Sequence, residues 1–312
     1  MKRRAAIRTL IVGGAASFCS RLLARAPQED PPGFVIHSDV RLVLLDVSVK
    51  DRHGGCVTGL TKDNFTVLED GEAQPITVFA NEDVPVTVGI LVDESRSMLP
   101  KRADVLSAAE TFIETCNPRD EIFVLNFNDV VKRGLPVHTL FSDNLEQLRT
   151  ALERGIPQGR TAFNDAIVEG LDQLTLGRRD KKALVAISDG GDNASRHSRA
   201  EVFAMVERSI ATIYAVGLFD ANDQEKNLGI LRHLANVSGG EAFFPQSPTN
   251  MSAICRSIAR EIRTRYTIGY LPPANHGSLR RIQVRVSAPG RSGLSARTRT
   301  RYRYDEIPNP RG

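Results

Sequence analysis

The stretch Val86-Thr87-Val88-Gly89-Ile90-Leu91-Val92-Asp93-Glu94-Ser95-Arg96-Ser97-Met98 decides how the rest of the chain is read. Val86 to Val92 is β-branched and almost free of polar groups. Such a run reads as a strand buried on both faces, as in a parallel sheet covered by helices. Open α/β sheets place ligands just past the carboxyl ends of such strands. Here that position holds Asp93, Ser95 and Ser97 at alternating spacing. One carboxylate and two hydroxyls turned toward one point are hard oxygens of the kind Mg²⁺ prefers.

Outward from this strand the chain alternates strands and helices. The pattern predicts helix 101–116, strand 121–127, a polar hairpin at Asn128-Asp129, an extended piece at 136–141, and helices 143–152 and 162–175. Strand 183–188, helix 198–209, strand 211–217, helix 226–237, a short strand at 241–244 and helix 249–263 complete it. That grammar signals an α/β, doubly wound, Rossmann-like sheet with helices on both faces. Before it, Arg41, Val43, Leu45, Val47 and Val49 read as the buried face of a strand. Phe65 to Glu72 enters an Asp70-Gly71 hairpin that returns along Gln74 to Phe79. After it, strands are expected at Tyr266–Tyr270, Leu279–Ser287 and Leu294–Tyr304. Neither flank is long enough to bury a core alone. The two are therefore expected to pack together as a small β-sandwich-like module with the α/β domain inserted between its halves. Residues 256–312 carry 13 arginines against three acids, whereas 39–83 are rich in Asp and Glu, which suits that pairing.

The first residues read as an export signal: Lys2, Arg3, Arg4 and Arg8, an apolar stretch from Thr9 to Phe18, and a small-x-small site at Ala24-Arg25-Ala26. The expected division is signal 1–26, β module 27–83, α/β domain 84–263 and β extension 264–312. An exported product is expected, in the periplasm, at the cell surface or secreted. No stretch has the roughly 18 apolar residues of a membrane span. The chain holds 41 Lys+Arg and 37 Asp+Glu, but residues 1–26 contribute six bases and no acid. Beyond residue 26 the balance is 35 against 37, so nucleic acid is not the expected partner. Cys56, Cys116 and Cys255 have no C-x-x-C spacing, and the six histidines are scattered without ligand spacing.

Two further pieces complete the constellation. Gly159-Arg160-Thr161-Ala162-Phe163-Asn164-Asp165-Ala166 sets a threonine at the start of a helix. The strand Ala183–Ser188 runs into Asp189-Gly190-Gly191-Asp192-Asn193. With these in view, the sequence resembles the von Willebrand factor type A domain with its metal-ion-dependent adhesion site, whose pattern is Asp-x-Ser-x-Ser, then a threonine, then an aspartate. Asp93, Ser95, Ser97, Thr161 and Asp189 match in order, over about residues 84–263. The flanking motifs, such as Leu68-Glu69-Asp70-Gly71 and Tyr266-Thr267-Ile268-Gly269-Tyr270, look like exported bacterial proteins of this kind.

The resemblance implies hydroxyl ligation of Mg²⁺ or Mn²⁺ by Ser95, Ser97 and Thr161, with Asp93 and Asp189 bound directly or through water. One coordination position then stays open to an acidic residue of a protein partner. Arg96 replaces the common glycine between the serines. A guanidinium there either meets the partner's carboxylate or weakens metal affinity. Asp192 is a further ligand-contact candidate. The expected function is metal-dependent protein binding without catalysis. The alternatives are a Mg²⁺-dependent phosphoryl hydrolase using Asp93, which lacks a P-loop, and a purely structural envelope assembly protein. Arg297, Arg299, Arg301 and Arg303 alternate on an expected strand, either facing an anionic partner or paired with acids.

Overall fold

The computed structural model describes residues 42–219, 227–247, 250–273 and 278–304. The export-signal expectation, His37 and His276 lie outside these. The chain enters through β1 (Val43–Lys50), which buries Val43, Leu45, Val47 and Val49 on one face. β2 (Phe65–Glu69) turns at Asp70-Gly71 into β3 (Glu72–Gln74). Both turn residues have positive φ, 50° and 94°, the conformation a two-residue hairpin requires. Pro75 then splits the expected return strand. Lacking an N–H, it ends the pairing with β2, and β4 (Ile76–Ala80) crosses to the other sheet.

β5 (Val86–Asp93) is buried at every residue and lies at the centre of the main sheet. There follow α1 (Arg102–Thr115), β6 (Glu121–Phe127) and β7 (Val131–Arg133), then α2 (Leu145–Glu153) and α3 (Phe163–Thr175). The expected extended piece at 136–141 is a turn. Pro136 removes a ladder donor and its carbonyl accepts from Thr139 N–H, leaving Val137 86% exposed. β8 (Lys181–Ser188), α4 (Arg199–Arg208), β9 (Thr212–Gly217), α5 (Leu228–Ser238), β10 (Ala242–Phe243) and α6 (Met251–Arg263) complete the α/β part. The strand order is β10-β9-β8-β5-β6-β7, parallel except for β7 at the edge. α1 packs against α2 and α6, and α4 against α3 and α5, so the sheet is doubly wound.

The chain returns through β11 (Tyr266–Tyr270), β12 (Leu279–Val286), β13 (Ser295–Arg297) and β14 (Arg301–Arg303). The two terminal segments interleave into antiparallel sheets, β13-β1-β11-β4 and β14-β12-β2-β3. Between them lies one apolar cluster that includes Leu45, Val47, Val67, Tyr266, Ile268, Ile282 and Tyr302. The fold is thus an α/β sheet flanked by a β-sandwich-like module built from both flanks. The expected last strand is broken at 298–300, where the chain turns to meet α5 and α4. Its arginines are engaged with the α/β part. Arg299 donates to the carbonyls of Glu207 and Ser209, Arg301 and Arg303 pair with Glu207, and Arg297 pairs with Glu241.

Buried polar groups tie the two parts together. Arg265, 2% exposed, donates to the Tyr214 hydroxyl at 2.9 Å and to the carbonyls of Asp46 and Gly239 at 2.8 and 2.9 Å. Lys50 on β1 pairs with Glu241 and Glu261. Gly239 closes α5 at φ 85°, and a Cβ there would stand 2.3 Å from the backbone nitrogen of Arg299. Gly239→Ala is expected to cost about 2–3 kcal/mol, because it combines left-handed strain with a backbone clash. A lower urea midpoint at unchanged slope is the readout.

Candidate metal centre

After β5 the chain runs to β6 on one side and later returns to β8 on the other. That reversal makes the gap between the carboxyl ends of β5 and β8 the topological switch point, where an α/β sheet opens a crevice. Asp93 ends β5, Ser188 ends β8, and Asp189 follows it.

Local geometry folds both ends inward. Asp93 Oδ1 accepts the Ser95 N–H at 2.8 Å, which turns the loop back on itself before the short 3-10 segment Arg96–Lys101. Asp93 Oδ2 accepts the Ser188 hydroxyl at 2.5 Å. The Ser97 hydroxyl donates to Asp189 Oδ2 at 2.6 Å and lies 3.0 Å from the Ser95 hydroxyl. Asp189 Oδ1 accepts the Gly191 N–H at 2.9 Å. Asp93, Ser95, Ser97 and Asp189 therefore form one hydrogen-bonded cluster.

Thr161 is tied to the loop after β8 by backbone bonds. Its N–H donates to Asn193 Oδ1 at 2.8 Å, and its carbonyl accepts from Asn193 and Ala194, both at 3.0 Å. The neighbouring Gly159 carbonyl accepts the Arg96 N–H at 3.3 Å. Thr161 is buried between the two acidic loops, and its side chain shares no hydrogen bond with the other four residues. The Arg96 side chain is exposed. Asp192 Oδ2 accepts from Asn164 Nδ2 at 2.6 Å, tethering its loop to α3.

Electrostatics give this cluster its character. Asp93 and Asp189 are 2% and 1% exposed, and among the described residues neither forms an ion pair. The Asp93 carboxyl is pushed up to about 7, first by burial and then by the Asp189 charge, against hydrogen bonds from Ser188 and Ser95. Two buried acids sharing a site without a base favour a cation between them. Among the described residues no group of three or more His, Cys, Asp or Glu side chains is arranged for a metal. The donors here are mostly hydroxyls, and two carboxylates with three hydroxyls are the hard-oxygen set that suits Mg²⁺ or Mn²⁺. The residues present fit the ion.

Sequence reasoning missed the supports. Ser188 is the polar last residue of an apolar strand, and that oddity was its only signal. Glu94 is buried with Arg102 Nη1 3.4 Å from Oε1; burial raises its carboxyl and Arg102 opposes the rise. Asp165 on α3 latches the loop after Asp189: it accepts from the backbone N–H of Arg196 and His197 at 3.1 and 2.9 Å, and its Oδ1 lies 2.7 Å from His197 Nδ1. Burial acts to raise the Asp165 carboxyl, but these donors outweigh it and hold it below the ordinary 3.8. A depressed carboxylate adds stability above its unfolded value and loses it as pH falls through the folded one. Asp165→Asn is therefore expected to cost about 1–2 kcal/mol at neutral pH. The gap from wild type should close below pH 3.8, as followed by thermal melts across pH.

The fold is a doubly wound α/β sheet with an acid-and-hydroxyl cluster at its switch point. Residues 87–256, more than half of the chain, match the model of the von Willebrand factor type A domain, and the chain belongs to that family. Domains of this family serve generally as interaction modules. No curated protein matches the chain. Among solved structures it is similar to a von Willebrand factor type A protein from Catenulispora acidiphila, at 14% identity and TM-score 0.50 over 86% of this chain and 75% of that one. An aerotolerance-related membrane protein from Bacteroides fragilis is 18% identical, with TM-score 0.46 over 57% of this chain and 98% of that one. Proximal thread matrix protein 1 from the mussel byssus, described with a zinc-occupied adhesion-site motif, is 17% identical, with TM-score 0.47 over 58% and 49%. At 14% identity the likeness to the Catenulispora protein speaks to fold alone. Among the described residues no helix is long and apolar enough to cross a membrane.

Proposed function

We propose that residues 84–263 are a metal-dependent protein-binding module of an exported protein, mounted on the β module that β1–β4 and β11–β14 form. Asp93, Ser95, Ser97, Thr161 and Asp189 would hold Mg²⁺ or Mn²⁺. When bound, the ion supplies an electrophilic position for an acidic side chain of the partner. The chain's own residues do the remaining work. Ser188 and the Ser95 N–H orient Asp93, Asn193 holds the Thr161 backbone, and Asp165 fixes the loop that carries Asp189.

The observation that carries this reading is the pair of buried carboxylates, Asp93 and Asp189, joined to serine hydroxyls and lacking any basic partner among the described residues. Few carboxylates leave a divalent ion under-neutralised, which favours capture of one more anion. Affinity capture from the native cell envelope tests the proposal. A partner retained in Mg²⁺, released by chelator and absent with Asp93→Asn supports it. Capture unchanged by chelator and by that substitution points instead to assembly through the β module.

A further inference from the structure

The three loops that carry the candidate oxygens each also carry an exposed arginine. Arg96 lies between Ser95 and Ser97, Arg160 precedes Thr161, and Arg196 follows Asp189 on the β8–α4 connection. The backbone positions of Arg96 and Arg196 are fixed by hydrogen bonds to Gly159 and Asp165. Their guanidinium groups make no hydrogen bond or ion pair among the described residues. Arg160 is bridged to Asp129 at 3.0 Å with its side chain 65% exposed. Carboxylates on and beside these loops have partners of their own: Glu94 in Arg102, Asp129 in Arg160, Asp165 in His197, and Asp192 in Asn164. The groups left unengaged are guanidinium forks, whose planar donor pairs match carboxylates.

Large apolar side chains share this end of the sheet. Leu99, two residues past Ser97, is 57% exposed, and Ile156, three before Gly159, is 66% exposed. Val130 is 50% exposed on the β6–β7 turn, where the Asn128 carbonyl accepts the Ala162 N–H at 2.7 Å. A single exposed aliphatic residue is ordinary. Two of these three stand on loops that carry the candidate oxygens and the third on the turn bonded to the Thr161 loop, which leaves aliphatic area beside the site for a partner.

We propose that this face receives a protein segment with several clustered carboxylates flanked by aliphatic residues, and not a lone acidic side chain. One carboxylate takes the metal position, neighbouring ones pair with Arg96 and Arg196, and the aliphatic flanks cover Leu99, Ile156 and Val130. The inference rests on the metal-dependent reading above and names the partner's chemistry.

Calorimetric titration with three synthetic peptides tests it. One carries a single aspartate among serines and glycines, one an acidic cluster among serines, and one the same cluster between leucine and isoleucine. In Mg²⁺ the affinities should rise in that order. Removing both unengaged forks, with Arg96→Ala and Arg196→Ala, should weaken the two cluster peptides by up to about fivefold per guanidinium and spare the single-aspartate peptide. Leu99→Ser with Ile156→Ser should weaken only the third. Equal, metal-dependent affinities for all three overturn this inference and leave metal-dependent capture standing. A rising order that ignores chelator overturns the metal reading and, with it, the place given to the first carboxylate, and no binding by any peptide overturns both. Polyphosphate binding as tightly as the third peptide, unaffected by the serine pair, overturns the protein-segment assignment.

Discussion

Arg280→Ala is expected to lower the stability of the protein by about 3–5 kcal/mol, the range for stripping one partner from a buried ion pair. Arg280 and Glu69 are both 0% exposed in the core of the β module. Arg280 donates to Glu69 Oε1 at 2.8 Å and to the Pro273 carbonyl at 3.0 Å, and its guanidinium stacks 3.9 Å from the Tyr304 ring centre. Glu69 Oε2 also accepts the hydroxyls of Tyr270 and Tyr302. Burial drives the Tyr270 hydroxyl far above its ordinary range, so it acts as a donor. Removing the guanidinium strands a carboxylate held by two phenols in an apolar interior. Joint replacement, Glu69→Met with Arg280→Met, removes both charges and should recover most of the loss. The chain has no tryptophan, so circular dichroism in a denaturant series is the suitable readout. Equal destabilisation by the single and double variants would show that packing, and not charge pairing, sets the cost.

The second large effect concerns Asp93. Asp93→Asn keeps an acceptor for the Ser95 N–H at 2.8 Å and removes one of two buried negative charges. Without metal, its melting temperature should match or exceed that of wild type, since repulsion from Asp189 is relieved. With saturating Mg²⁺ or Mn²⁺, wild type should gain about 2–3 kcal/mol at a hundredfold excess over the dissociation constant, or roughly 5 °C or more for a chain of this size. Asp93→Asn should gain nothing. Ser97→Ala, which leaves both carboxylates in place, should lose most of the gain as well. A purely structural role for these residues predicts instead that every variant melts lower in all buffers alike.

Much of the fold was legible because its signals are local. The apolar run Val86–Val92 reads as a doubly buried strand, and every residue of β5 is buried. Alternation on β1 marked Val43, Leu45, Val47 and Val49 as the inner face, and they are. The failures share a cause in tertiary pairing. Residues 136–141 are apolar enough for a strand, but Pro136 and a local turn leave them outside the ladder. The segment Gln74–Phe79 reads as one strand, but Pro75 hands its second half to β11. Leu294–Tyr304 breaks because Arg299 is drawn to carbonyls at the end of α4.

The candidate site divides the same way. Asp-x-Ser-x-Ser is a local spacing and could be read directly. The support of Asp93 by Ser188 comes from a neighbouring strand 95 residues away, and the hold of Asn193 on Thr161 joins two loops. Neither leaves a mark in the spacing of the motif. The alternating arginines illustrate the converse. As a stripe they could face an anionic partner or pair with acids, and it is the second that holds: Glu207, Glu241 and helix-end carbonyls engage them.

The most direct test of the central claim is a titration of the metal-free chain with Mn²⁺, followed by the paramagnetic resonance of the free ion. One ion bound per chain, displaced by excess Mg²⁺ and lost in both Asp93→Asn and Ser97→Ala, is the predicted result. No bound Mn²⁺, or binding that both variants retain at wild-type affinity, would contradict it.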